Sequence, residues 1–151
     1  MHRPPAGSSA LLALGAVALI PLVGCNRPTL ARAGAIEVTS AYAYPTAGEV
    51  GAAYVTLRNT GAAADTLLGA TGPDSGALEL METAGQRMHR VTELAIPPKT
   101  SVEMAPGGVH VMADSVAHPW RIGDTVRLRL RLARAGALEV AVPVIPYGER
   151  P

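Results

Sequence analysis

Four residues of this chain, Met81, Met88, His110 and Met112, have types and spacings that could do chemistry. The stretch "PGGVHVMAD", residues 106–114, sets His110 and Met112 two apart beside a Pro-Gly-Gly turn. On a strand, residues i and i+2 share a face, so an imidazole and a thioether would stand side by side. The segment "LELMETAGQRMHRV", residues 78–91, reads as a β-hairpin. With Ala84-Gly85 at the centre of its turn, Met81 pairs directly with Met88 on one face and His89 points to the other. A one-residue slip would put the two methionines on opposite faces. Three thioethers and one imidazole make a soft, uncharged donor set. Thioethers select Cu(I) and hold Zn(II), Mg(II) and Ca(II) poorly. No carboxylate belongs to the set, which suits a monovalent ion. Methionine is also a common filler of core gaps. Spacing alone therefore leaves two readings open, a metal site or two structural pairs.

The elements that must position these residues are short strands. Residues 125–132, "TVRLRLRL", place Val126, Leu128, Leu130 and Leu132 on one face and Arg127, Arg129 and Arg131 on the other, the pattern of a half-buried strand with a solvated arginine face. "VGAAYVTLRNTG" reads as a strand ending in a turn, and "ALEVAVPVIP" as a last strand whose Pro143 marks an edge or a bulge. No segment carries a long helical period with caps. Many short strands divided by Gly, Pro, Asn and Asp predict an all-β protein, a single antiparallel β-sandwich.

The chain has 151 residues, and its start does not belong to that sandwich. A basic beginning with Arg3 leads into an apolar run from Ala10 to Val23, too short for a comfortable membrane span and suited to a signal peptide. It ends in Leu22-Val23-Gly24-Cys25, which looks like the lipobox of bacterial lipoproteins, where the cysteine is lipidated and becomes the new N-terminus. The expected organisation is therefore a signal peptide over 1–24, a flexible tether over 25–35, a β-sandwich domain over 36–146 and a tail over 147–151. Cys25 is the only cysteine, which excludes an internal disulfide and leaves no thiolate for chemistry once lipidated. Removing residues 1–24 leaves twelve basic against twelve acidic residues, a neutral domain ill-suited to nucleic acid. Outside the cytoplasm thiols tend to be oxidised, whereas Met and His persist as ligands.

The run from about Ile36 to Val144 resembles the PCuAC family of extracytoplasmic copper chaperones. The family hallmark is a His or Met, then a Met, then twenty-one residues, then His-x-Met. Met88 is followed by residues 89–109, twenty-one in all, before His110-Val111-Met112. "IPPKTSVEMAPGGVHVM", "GAAYVTLRNTG" and "GDTVRLRLRL" resemble the stretches before and after that site. The first ligand position, most often His in the family, falls on Met81, and the gap of six residues to Met88 is shorter than is usual there. The resemblance implies a cupredoxin-like or immunoglobulin-like sandwich holding one Cu(I) on Met81, Met88, His110 and Met112. Met104 is expected in strand packing, and His89 and His118 fall outside the ligand positions.

The resemblance further implies a periplasmic, lipid-anchored carrier that works as a monomer. It would hand copper to a membrane-associated acceptor, such as the CuA centre in subunit II of cytochrome c oxidase or another copper chaperone. The alternative is a metal-free immunoglobulin-like lipoprotein that binds or scaffolds. Electron transfer at a blue-copper site needs a Cys thiolate with two His, and the only cysteine lies at the lipobox. No nucleophile–base pair or catalytic carboxylate pair stands out, so no enzyme is expected.

Overall fold

Strict alternation of Leu and Arg in residues 125–132 produces a strand, β10 (Thr125–Leu132), whose valine and leucines are buried and whose arginines are exposed. The computed structural model describes residues 28–72 and 76–151, so the expected signal peptide and Cys25 lie outside the described residues. β10 pairs antiparallel with β11 (Gly136–Pro143) on one side and with β4 (Asp65–Gly72) on the other. β4 also pairs with the start of β5 (Gly76–Ala84) and with β7 (Leu94–Ile96). These strands form one layer.

The other layer is built on β2 (Ile36–Ala43), which lies between β1 (Ala31–Ala33) and β3 (Gly51–Asn59). β3 pairs onward with β8 (Ser101–Glu103) and β9 (Val109–Ala113). β9 meets the second half of β5, which also forms a hairpin with β6 (Arg87–Arg90). β5 thus crosses from one layer to the other. At the far edges Ala43 and Val144 form a parallel bridge and the Ile145 N–H donates to the Ala43 carbonyl, so the sandwich is nearly a closed barrel. Among the described residues there is no helix, and the all-β expectation holds.

The core lies between the layers. Ala53, Val55 and Leu57 of β3 face inward with Val111 of β9, against Leu128, Leu130 and Val142 of the other layer. Met104 is fully buried there, as its apolar chain demands. Each buried valine, leucine or methionine among them contributes about 1.5–3 kcal/mol by leaving water. A β-bulge between Val38 and Ser40 shifts the phase of β2. Val38 and Ala41 both point inward as a result, while Tyr42 turns outward in register with Tyr54.

Two boundaries differ from the sequence expectation. The expected tether over 25–35 contains β1, which pairs with β2 from Ala31 to Ala33, and the Leu30 N–H already donates to the Val38 carbonyl. Alanine and arginine at 31–33 can extend a sheet because the partner's main chain supplies the bonds whatever the side chains. The expected tail is also held: the Tyr147 hydroxyl donates to the Pro45 carbonyl at 2.6 Å, and the Tyr44 hydroxyl donates to the Glu149 carbonyl at 3.1 Å.

Candidate metal centre

The outer face of the second layer is set by strand parity. On β3 the odd residues point to the core, so Ala52 and Tyr54 face outward. Register carries that parity to β9, where Val111 and Ala113 are core and His110 and Met112 face outward. It carries it again to β5, where Leu78 and Leu80 are core and Glu79, Met81 and Thr83 face outward. All the expected donors of the two strands therefore share one face. Met81 stands directly opposite His110, and Met112 opposite Glu79, one pleat further along.

The hairpin corrects the sequence reading. Its two-residue turn is Gly85-Gln86 rather than Ala84-Gly85, and Met88 pairs with Thr83 while Met81 pairs with Arg90. Gly85 has φ of 64° and Gln86 is not in the left-handed region, the arrangement that favours glycine at the first central position. The pairing sum shifts by two, so parity survives. Met81 and Met88 remain on one face as diagonal neighbours across the hairpin, within reach of long side chains.

Met88, His110 and Met112 line one cavity of about 300 Å³, bounded also by Tyr44, Pro45, Val50, Tyr54, Thr83, Pro106, Gly107 and Tyr147. Met81 is not among its lining residues, although it stands opposite His110 in the sheet register. The imidazole is held: His110 is 6% exposed, and its Nδ1 lies 3.0 Å from the Gly108 carbonyl oxygen. A carbonyl can only accept, so Nδ1 donates, and in the neutral ring Nε2 is the nitrogen that keeps its lone pair. The Pro106-Gly107-Gly108 turn, with Gly107 at φ of 84°, brings that carbonyl back to the ring. Met88, by contrast, is 54% exposed and forms the open side.

The surroundings keep the site uncharged. Glu79 is ion-paired with Arg90 at 3.0 Å, and Glu82, on the opposite face of the hairpin, meets His89 at 3.0 Å. Among the described residues no three His, Cys, Asp or Glu side chains converge. Tyr54 lies with its ring centroid 6.1 Å from that of His110 and is stacked on Tyr42 at 5.0 Å. Burial and then the neighbouring tyrosines push the Tyr54 phenol up to about 12, so it stays protonated and brings no phenolate to the cavity. His118 is exposed in the loop before Trp120, and Met104 is in the core, both away from the cavity lining.

Sequence reasoning had not placed Tyr44, Tyr54, Val50 and Tyr147 at the site. The alternation within "GAAYVTLRN" carried a signal, since Tyr54 shares a parity with the outward Arg58. Nothing local signalled Tyr147, which reaches the cavity from the chain end.

Comparison with known proteins follows the same lines. The sequence model of the family described as "Putative lipoprotein LpqE-like" matches residues 36–144. A curated protein of Leifsonia xyli subsp. xyli, also described as a "Putative lipoprotein", is 28% identical over 141 residues, covering 85% of each chain. Among solved structures, the copper-bound PCuAC domain from PmoF2 superposes with a TM-score of 0.67 at 21% identity, covering 76% of this chain and 96% of that one. The solution structure of CuI-DR1885 from Deinococcus radiodurans matches with a TM-score of 0.59 at 30% identity, covering 74% of this chain and 80% of that one.

Proposed function

The chain belongs to the LpqE-like family, with a PCuAC-type domain, and from that premise we propose that it is an extracytoplasmic copper chaperone that carries one Cu(I) on Met81, Met88, His110 and Met112. The observation that carries this reading is the shared outer face of β5, β6 and β9, where register sets Met81 opposite His110 and the other two methionines on diagonals. The copper named for PmoF2 and DR1885 supports the choice of ion.

The donor set explains both holding and release. His110 offers Nε2 from a ring fixed by Gly108, so little rotamer freedom is lost on binding. The thioethers favour Cu(I) and form labile bonds. Met88, on the open side, is the donor an acceptor can displace first. Copper then passes by stepwise exchange of ligands and stays Cu(I) throughout, with no electron moved, and an acceptor thiol that takes it gives up its proton to solvent. The acceptor is a membrane-associated copper protein, and subunit II of cytochrome c oxidase with its CuA centre is the proposed one. Lipid on Cys25 would keep the carrier beside it.

The test is a Cu(I) titration of residues 28–151 against a chromogenic chelator under reducing conditions. Met88→Ala and His110→Ala are expected to lose at least about tenfold in affinity. His89→Ala and Met104→Leu are expected to match the wild type; Met104 takes Leu because alanine would open a core cavity. No uptake by the wild type, or equal uptake by all variants, overturns the reading.

A further inference from the structure

The outer face of the first layer carries charge that the copper site does not use. Arg127, Arg129 and Arg131 stand in a row on β10, all exposed. Residues two apart on a strand are about 6.6 Å apart, so the three guanidinium groups span some 13 Å. Among the described residues none of them forms an ion pair, and Arg131 only donates to the Leu68 carbonyl at 3.3 Å. The positions facing them are small: Ala141 opposite Arg127, Ala137 opposite Arg131, and Thr71 and Gly69 on β4. Among the described residues the carboxylates on this face are Glu139, opposite Arg129, and Glu79, which shares a hollow with Arg131 and is ion-paired with Arg90. A shallow hollow of about 560 Å³ runs between Thr71, Arg127, Arg129 and Glu139. The mature chain is neutral overall, so this face is a local excess.

The path of the chain says what lies next to it. β1 enters against β11, the neighbour of β10, and a side chain on Gly34 would touch Ala135 of the β10–β11 turn. Main-chain pairing begins at Leu30. Four residues lie between Cys25 and Leu30, and the five residue steps span at most about 18 Å when extended. A lipid on Cys25 would thus hold a domain of comparable radius against the headgroups, at an edge beside the arginine row.

We propose that the arginine row is a docking face for an anionic phospholipid surface, which orients the anchored domain with its copper cavity on the layer turned away from the bilayer. The inference rests on the lipoprotein reading for its geometry, but the face can be tested without the lipid. Three arginines that form no ion pair among the described residues give weak, salt-screened attraction to acidic headgroups. Orientation then follows because the tether supplies the proximity and the face supplies the preference.

The experiment is sedimentation of the mature chain, residues 25–151 with Cys25→Ser, with vesicles of phosphatidylcholine alone or with a third phosphatidylglycerol. A partition constant on the order of 10² M⁻¹ is expected on the acidic vesicles, so about half the chain sediments at ~10 mM lipid. Binding should vanish on neutral vesicles and at ~0.5 M salt. Arg127→Gln/Arg129→Gln/Arg131→Gln should abolish it, Glu139→Gln should strengthen it, and the charge-matched Arg87→Gln/Arg121→Gln/Arg150→Gln should keep most of it. Equal binding to both vesicles, equal loss in the two triple variants, or no binding by the wild type overturns the proposal. Cu(I) titration of the same proteins, and lipid labelling of unmutated Cys25 in cells, report separately on the carrier and anchor readings.

Discussion

Met81 on β5 lies directly opposite His110 on β9, both on the outer face of the layer. The first proposed donor therefore lies on the neighbour strand of the His-x-Met pair, and the short hairpin does not displace it. Met81→Leu keeps the volume and apolar packing but removes the sulfur, so the fold should persist while Cu(I) affinity falls at least about tenfold. Met81→His, which offers an imidazole at the same place, should restore much of it. Chelator competition for both variants checks this, and a wild-type affinity for Met81→Leu would remove Met81 from the donor set.

Much of this geometry was legible because it depends on parity. Leu–Arg alternation in β10 and the i, i+2 placing of His110 and Met112 follow from a two-residue period that any strand must obey. The hairpin register was one step off because "TAGQR" allows glycine at either central turn position, and the choice rests on how Gly85 and its neighbours share positive φ. Same-face placement survived the error only because the sum shifted by an even number. The tyrosine wall was less legible. Tyr42 faces Tyr54 through a bulge at residue 39, and Tyr147 arrives through hydrogen bonds to Pro45, neither of which a local pattern encodes. β1 was hidden for a like reason, since its order comes from the main chain of β2.

His110 should keep the proton on Nδ1 and meet copper through Nε2, because the Gly108 carbonyl lies 3.0 Å from Nδ1. Long-range nitrogen–proton NMR of the apo protein is expected to show a protonated Nδ1 and an unprotonated Nε2. Cu(I) should move the Nε2 resonance strongly and leave the Nδ1 signal of the protonated type. A shift confined to Nδ1 would mean that the ring has left Gly108 on binding.

Asp65 clamps the end of the sandwich away from the cavity. Its Oδ1 accepts from the Thr66 and Arg134 N–H groups at 2.7 and 2.9 Å, and its Oδ2 accepts from the Ala135 N–H at 2.9 Å. Burial acts to raise its pKa, but those three donors and the Arg134 charge outweigh it and hold the carboxyl below the usual range. A lowered folded pKa contributes stability above the unfolded value of about 3.9, and that contribution fades as pH falls through the folded value. Asp65→Asn leaves the Ala135 or the Arg134 N–H without an acceptor, at a cost on the order of 2 kcal/mol near neutrality. Urea unfolding should show that gap at pH 7 and a narrower one near pH 3, with Cu(I) affinity unchanged at pH 7.

Tyr54 sets an alkaline limit on the same domain. Its phenol is pushed up to about 12 by burial and by Tyr42, Tyr44 and Tyr147, against about 10 in the unfolded chain. The sign is opposite to that of Asp65. With the folded value raised, stability is fully present below pH ~10 and is lost as pH climbs towards the folded value, because the unfolded chain ionises first. Denaturation midpoints should therefore fall between about pH 10 and 12. Tyr54→Phe, which keeps the ring stacked on Tyr42 but has nothing to ionise, should flatten that decline. The same variant bears on the metal. A phenol that stays protonated cannot serve as an anionic ligand, so Tyr54→Phe should leave Cu(I) affinity within about threefold of wild type at pH 7. A tenfold loss would instead make the Tyr54 hydroxyl part of the site.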